Sequence, residues 1–422
     1  MGYNDLMNKR SAELYFPDFE KGSSRRWYQH DIDTIIYSEM FRKMQRKAQL
    51  LSLRDPVSRS RLIHTFEVVR IAKEISEKLG LNSELTEAIA LAHDVGNVAY
   101  GKIADYFLKA KTNNQFCHEE ISALMLKVSA SRIIPDKYRK AAKKEIAKDK
   151  NVSHFLDIDR FPYRLEVYEY CRNIYYVCMS PEVLDGIEKH GTNNIAFTLE
   201  GQVVNYADNI AYLIQDISDF EASGIFDEST IERYSRCLNH LTSSDTDDDY
   251  PLAGIVGPTT SIRTATLIER FVSFNLQRLN DGTFSTMYSE ILREAIPILE
   301  IEDIVKKAID CCWKFKDEFY ENDLIKVSNI ASQSKMEQIW DILEEGSYFR
   351  EKNVLYNNFE KLLSSPLFLS YKMRKKIDKE ADWENWKKAC FIAHLTCDEI
   401  DQITRSFLER DFVFDLSLPI IG

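Results

Sequence analysis

The chain has 422 residues, of which 44% are hydrophobic and 29% charged, with a formal net charge of -12. That length suits two or three core units of ordinary soluble composition. The negative balance argues against nonspecific binding to nucleic acid or to an anionic membrane surface, so an anionic substrate would need a local cluster of Lys, Arg and metal. No uninterrupted apolar run approaches the ~20 residues of a membrane span, and Met1 to Phe19 lack the apolar centre of a signal peptide. Eight cysteines are scattered without a CxxC pair, Cys311 and Cys312 being adjacent. The expectation is a reduced, cytoplasmic protein with no zinc ribbon or redox motif. Only 14 Gly and 10 Pro punctuate long periodic segments, which predicts an all-α fold.

From Arg59 to Leu79, apolar residues Leu62, Phe66, Val69, Ile71, Ala72, Ile75 and Leu79 fall near helical spacing, and Gly80 is a C-terminal stop. Arg61 and His64 share one side near the start of this helix. Ser83 is the expected N-cap of a second helix that runs to His93 and Asp94 and ends at Gly96. A small-residue loop, Gly96 to Gly101, leads into a short helix bearing Asp105. After a break at Asn113 to Gln115, His118, Glu119 and Glu120 open another apolar helix. The strongest helix spans about Thr198 to Phe220. Val203, Val204, Ala207, Ala211 and Ile214 face the core, and Asp208, Tyr212 and Asp216 recur every fourth residue as one polar stripe. The aromatic run Tyr168, Tyr170, Tyr175 and Tyr176 reads as helix packing.

Thr242 to Asp249 is almost wholly Ser, Thr and Asp, which sets a loop or boundary at 241–260 between a core of 1–240 and a helical region of 261–422. Further helices are expected at Ser261 to Leu279, Phe284 to Ala295, Glu302 to Phe319, Ile325 to Glu345 and Trp383 to Glu409. There is no internal repeat.

Two His, an adjacent Asp and a later Asp on an apolar helix are a ligand set for one divalent cation: His64, His93, Asp94 and Asp208. Imidazole and carboxylate suit Mn, Mg, Fe, Co, Ni or Zn, and open positions would remain for water and a phosphate oxygen. On spacing alone, caps and ion pairs account for these residues equally well. His190, before Gly191, reads as a turn or helix-end residue, and His240 and His394 have no partner pattern.

Three blocks add a resemblance. RSRLIHTFEVVRIAKEISEKLGLNSELTEAIALAHDVGN, the upstream HDIDTIIYSEMFRKMQRKAQLL and the downstream LEGQVVNYADNIAYLIQDISDFEASG together resemble the HD-domain deoxynucleoside triphosphate triphosphohydrolases, the dGTPase family, over about residues 25 to 225. The resemblance implies an HD-domain helical bundle with additional C-terminal helices. It implies that His64, His93, Asp94 and Asp208 hold the metal. It also implies that His118, Glu119 and Asp105 match catalytic positions, that Gln49 and Leu50 match residues that meet the sugar, that Tyr212 and Asp216 match residues near the 3'-hydroxyl, and that Arg61 matches a phosphate-contacting Arg. A homo-oligomer, tetramer or hexamer, and a nucleotide effector are implied as partners of the dNTP-bound enzyme; nucleic-acid binding is left open.

One departure stands out. Many members carry a His proposed for acid chemistry where this chain has Lys102, which could stabilise phosphate charge or donate a proton if desolvated. The expected reaction converts a dNTP, dGTP among them, to deoxynucleoside and tripolyphosphate. Two alternatives are another HD nucleotide phosphohydrolase or phosphodiesterase, and a non-catalytic nucleotide-binding regulator.

Overall fold

The computed structural model describes residues 27–49, 59–133, 154–155, 164–167, 174–177, 179–191, 194–222, 224, 260–280, 297–303, 305–306, 321–345, 354–363, 368, 371–372 and 375–409. These residues are mainly helical, as the periodicity predicts. The N-terminal half contains α1 (Trp27–Ile36), α2 (Glu39–Lys43), α3 (Arg61–Lys78), α4 (Ser83–Ala92), α5 (Gly101–Lys111), α6 (His118–Ser129), α7 (Pro181–Lys189) and α8 (Leu199–Ala222).

Local chemistry sets the ends of these helices. Ser60 Oγ accepts from the Ile63 amide to start α3, and Gly80, at φ +70°, closes it in the left-handed region. The cap of α4 is Asn82 rather than Ser83: Asn82 Oδ1 accepts from the amides of Glu84 and Leu85, at 3.1 and 3.0 Å. Ser83 is thereby the first helical residue, since one side chain one position upstream already satisfies two orphan donors.

Helix α3 packs along α8 and α4, and α4 also meets α1, α7 and α8. Every residue of α4 from Leu85 to Ala92, save Glu87, is buried, so this helix is interior and its C-terminal end opens inside the protein. Val203, Val204, Ala207, Ala211 and Ile214 of α8 are buried as expected. Phe66 departs from the pattern: it is 50% exposed, its ring set edge-on to Phe41.

Between α6 and α7 lies an element the periodicity does not reveal, an antiparallel sheet of β1 (Ser131–Ile133), β2 (His154–Phe155), β3 (Arg164–Val167) and β4 (Ile174–Val177) in the order β1-β4-β3-β2. Ser131 and Arg164 both pair with Val177, which makes β4 central to β1 and β3. Tyr175 and Tyr176 therefore belong to a strand, not to helix packing, in keeping with the β preference of Ile-Tyr-Tyr-Val. Tyr168 and Tyr170 lie outside the described residues.

Beyond residue 260 come α9 (Thr260–Asn280), α10 (Asp323–Glu345), α11 (Val354–Leu363), α12 (Glu380–His394) and α13 (Cys397–Glu409). The single helix expected from Trp383 to Glu409 is broken at Leu395 and Thr396. A capping box causes the break: the Glu399 amide donates to Thr396 Oγ1 at 3.2 Å, and the Thr396 amide donates to Glu399 Oε2 at 2.7 Å. The segments 241–259, Phe284 to Ala295 and most of Glu302 to Phe319, with His240, lie outside the described residues.

One continuous apolar core runs from Tyr28 of α1 to Ile403 of α13, so the described helices after 260 share the core of those before it. Helix α10 packs on α5, α12 and α13, and α9 on α8 and α3. His394, at the end of α12, is buried with Nε2 3.4 Å from Glu39 of α2. Among the described residues no helix is long and apolar enough to cross a membrane.

Candidate metal centre

Five helix segments converge on one interior point. The first turn of α3 brings Arg61 and His64, the turn that ends α4 brings His93 and Asp94, the middle of α8 brings Asp208, the start of α6 brings His118, and the end of α7 brings His190. His64 and His93 have no exposed surface and Asp94 is 3% exposed.

Donor atoms of His64, His93 and Asp94 lie within 4.8 Å of one another. Asp208 Oδ1 is 3.0 Å from His64 Nε2 and 3.7 Å from His93 Nε2. His93 Nδ1 is 2.7 Å from the Ala90 carbonyl oxygen, an acceptor that requires the proton on Nδ1 and leaves the Nε2 lone pair facing inward. That Nε2 is buried and has no hydrogen-bond partner.

Charge follows from this packing. Burial pushes the His93 imidazole towards its neutral form. Burial opposes ionisation of Asp94, but the Arg61 guanidinium, with His93 and His118 behind it, holds its carboxyl well below the usual carboxylate range. Asp208 is likewise held low against burial by its bond to His64 and the nearby His93. His118 runs the other way: burial disfavours its charge, yet Glu119 and Asp105, each with an oxygen 3.5 Å from Nδ1, raise it.

A neutral imidazole with a buried, unshared Nε2 lone pair, a second imidazole and two ionised carboxylates fit a divalent cation of borderline hardness. The backbone carbonyl behind His93 is the outer support that orients such ligands. A second set, Asp94, His118 and His190, also has donor atoms within 4.8 Å of one another.

Other residues singled out in the sequence have mixed fates. Gln49 is buried, with both amide atoms lacking a hydrogen-bond partner, so no described neighbour satisfies it as a core residue would be satisfied. The Tyr212 ring lies 5.1 Å from that of His64, and its hydroxyl is bonded to Arg61. Arg61 itself donates from Nη1 to Asp94 Oδ2 at 2.6 Å. Asp216 is on α8, one turn beyond Tyr212. Leu50 lies outside the described residues. Lys102, in the first turn of α5, sits over the Tyr106 ring at 5.6 Å from its centroid.

Two residues escaped the sequence reading. His190 does end a helix, as expected, but its ring also faces the site: Nε2 is 3.9 Å from Asp94 Oδ1, and the ring stands edge-on to His93 at 5.1 Å. Its Nδ1 uses the Ile187 carbonyl at 2.7 Å, the device seen at His93. Asn97 donates from Nδ2 to Asp94 Oδ1 at 3.0 Å.

The HD domain family model matches residues 61–213, which contain every one of these residues except Gln49, Leu50 and Asp216. The chain is 30% identical over 273 residues to a deoxyguanosinetriphosphate triphosphohydrolase-like protein of Clostridium tetani, covering 63% of this chain and 62% of that protein. It is 33% identical over 201 residues to one of Caldanaerobacter subterraneus subsp. tengcongensis, covering 47% of each chain. A third, of Clostridium perfringens strain 13, is 29% identical over 322 residues, covering 72% of this chain and 77% of the relative. The first two alignments thus span less than two thirds of the relatives' own length. Residues 61–213 of this chain are similar to the HD domain, and the chain as a whole is similar to the deoxyguanosinetriphosphate triphosphohydrolase-like proteins.

Proposed function

We propose that this chain is a metal-dependent nucleotide phosphohydrolase, and specifically a deoxynucleoside triphosphate triphosphohydrolase with dGTP among its substrates. The observation that carries the reading is the convergence of His64, His93, Asp94 and Asp208 on a buried point. The names of the relatives support the substrate class.

His64, His93, Asp94 and Asp208 would hold a divalent ion, Mn or Mg or another of the transition metals. Such an ion supplies Lewis acidity towards phosphate oxygen and lowers the pKa of bound water. In the reaction, water adds to the α-phosphorus while its bond to the 5'-oxygen breaks, giving deoxynucleoside and tripolyphosphate. His118, kept cationic by Glu119 and Asp105, is suited to neutralise or protonate the departing 5'-oxygen. Gln49 and Tyr212, with Leu50 and Asp216, would orient the sugar, and Arg61 would offset negative charge between Asp94 and the phosphates. Lys102, set over Tyr106, is given the lesser role of screening phosphate charge. A homo-oligomer and a nucleotide effector rest on the family resemblance, and the division at 241–260 rests on the Ser, Thr and Asp composition of Thr242 to Asp249.

The test is to incubate the purified protein with each dNTP and with dNTP mixtures, in Mn or Mg, and resolve the products by chromatography. Deoxynucleoside plus tripolyphosphate is the expected result. Orthophosphate or pyrophosphate released from a dNTP, or hydrolysis of a nucleoside monophosphate or cyclic nucleotide supplied in its place, would indicate a different HD phosphohydrolase, and binding without turnover a regulator. Asp94→Ala should lose turnover and metal retention together; an active, metal-loaded variant would overturn the ligand assignment.

A further inference from the structure

Lys47 is 1% exposed, and its ammonium is shared by two backbone carbonyls that are distant in sequence: Asn97 at 2.5 Å and Ala393 at 2.7 Å. Ala393 belongs to the last turn of α12, where carbonyls have no intrahelical donor and the helix dipole is negative. Asn97 belongs to the loop after His93 and Asp94. Its amide nitrogen donates back to the Asp94 carbonyl at 3.0 Å, and its side chain donates to Asp94 Oδ1, also at 3.0 Å. An unbroken chain of hydrogen bonds therefore links the end of α12, through Lys47 and Asn97, to a carboxylate of the candidate metal centre.

The same loop is tied to the C-terminal helices at two further points. Tyr100 donates to Asp401 Oδ1 of α13 at 2.8 Å, and the Cys397 thiol lies 3.0 Å from the Ala99 carbonyl. The Ala48 amide, next to Lys47, donates to that same Ala99 carbonyl at 3.0 Å. Residues 97–100 are thus clamped between the Lys47 segment on one side and α12 and α13 on the other. Burying an ammonium is costly, and here its partners are one carbonyl of each of the two parts it joins.

We propose that Lys47 is a positioning residue, which locks the Asn97 backbone against the end of α12 and so fixes the Asn97 amide on Asp94, making the C-terminal helix pair α12–α13 part of the metal centre's outer support. The inference rests on the reading of Asp94 as a metal ligand. By reciprocity, metal at Asp94 stabilises the docking of α12 and α13 as much as their docking stabilises the metal.

The test uses the full chain stripped of metal, with Mn alone as the probe. Mn affinity is measured by titration calorimetry, thermal midpoints by circular dichroism, and amide exchange of 380–409 with and without Mn. Lys47→Met and Asn97→Ala should each weaken Mn binding on the order of 10- to 100-fold, the usual effect of losing an outer partner. Ile75→Ala, a buried truncation at the far end of α3, should lower the thermal midpoint with Mn affinity unchanged. Mn should slow exchange in 380–409 of the native protein and not in Asn97→Ala. Mn affinity within twofold of native in Lys47→Met, at a lowered midpoint, would make Lys47 a structural stitch and overturn the proposal. If Lys47→Met fails to fold, Asn97→Ala and native exchange decide, and absence of Mn-dependent protection in 380–409 overturns it. A native protein that takes up no Mn refutes the metal reading itself, a result distinct from normal uptake by the variants.

Discussion

Arg61 Nη1 and Asp94 Oδ2 are 2.6 Å apart, and both side chains are about 4% exposed. The guanidinium is a resident counter-charge for a carboxylate that burial alone would drive towards its neutral form. Its neighbour Asp208 is a second buried acid in the same cavity, so the site accumulates negative charge that only cations balance.

Removing the arginine should expose that debt. Breaking a buried pair by deleting one partner costs about 3–5 kcal/mol, and Arg61→Met should destabilise the metal-free protein by that order in urea denaturation. Mn, binding the same carboxylates, should raise the midpoint of Arg61→Met more than that of the native protein. Equal Mn-induced shifts in the two proteins would show that Arg61 and the metal do not answer to the same charge.

His190 yields a second expectation. Its ring fills the angle between His93 and His118, at 5.1 and 5.8 Å between centroids, and Ile187 fixes its orientation. His190→Ala should lower dNTP turnover about 10- to 100-fold, the range for groups that orient a metal site, with the far-ultraviolet circular dichroism retained. Native turnover in a folded His190→Ala would reduce this residue to a helix end.

Two glycines separate stability from function. A Cβ on Gly96 would fall 2.5 Å from the Ser122 amide nitrogen and 2.8 Å from the His118 carbonyl oxygen, so backbone of α6 must move. Gly96→Ala should therefore cost about 1–3 kcal/mol through overpacking and also lower turnover by displacing His118. A Cβ on Gly80 meets nothing within 4 Å, but its φ is +70°. Gly80→Ala should cost about 1–2 kcal/mol of left-handed strain and leave turnover per folded molecule unchanged. Loss of turnover in Gly80→Ala, or none in Gly96→Ala, would reverse this division.

How far these arrangements can be read from sequence depends on range. His64, His93 and Asp94 stand at helix ends marked by a cap and a glycine, and Asp208 lies on the polar stripe of a largely apolar helix, so local pattern nominates them as ligands while leaving caps and ion pairs equally open. His190 carries the same outward signal as any helix-terminal His, and nothing local distinguishes a ring that turns inward. Strands of two to four residues are too short to show an alternation. The Thr396–Glu399 box was readable, but the apolar pattern on both sides of it reads as one helix. Lys47 meets Ala393 across 346 positions, a pairing no window along the chain contains.

The buried lysine also sets a pH dependence whose sign can be worked out. Burial, helped by the neighbouring charges of Lys43 and Arg61 and opposed by Glu399 and Cys397, lowers the Lys47 pKa to about 7 from its ordinary 10.5. Below about pH 7 both folded and unfolded chains carry the proton, and the full cost of the buried charge is present. Between 7 and 10.5 the folded protein releases the proton while the unfolded chain keeps it, so the unfolded state binds more protons and stability rises with pH. A neutral amine keeps two N–H donors, one for each of the carbonyls of Asn97 and Ala393, so the tie survives the loss of charge. Lys47→Met has no such group. The stability of the native protein relative to Lys47→Met should therefore increase from pH 6.5 to pH 9, measured as the difference in urea midpoint across a buffer series. A difference that stays flat or falls over that range would mean that the buried ammonium keeps its proton in the folded protein.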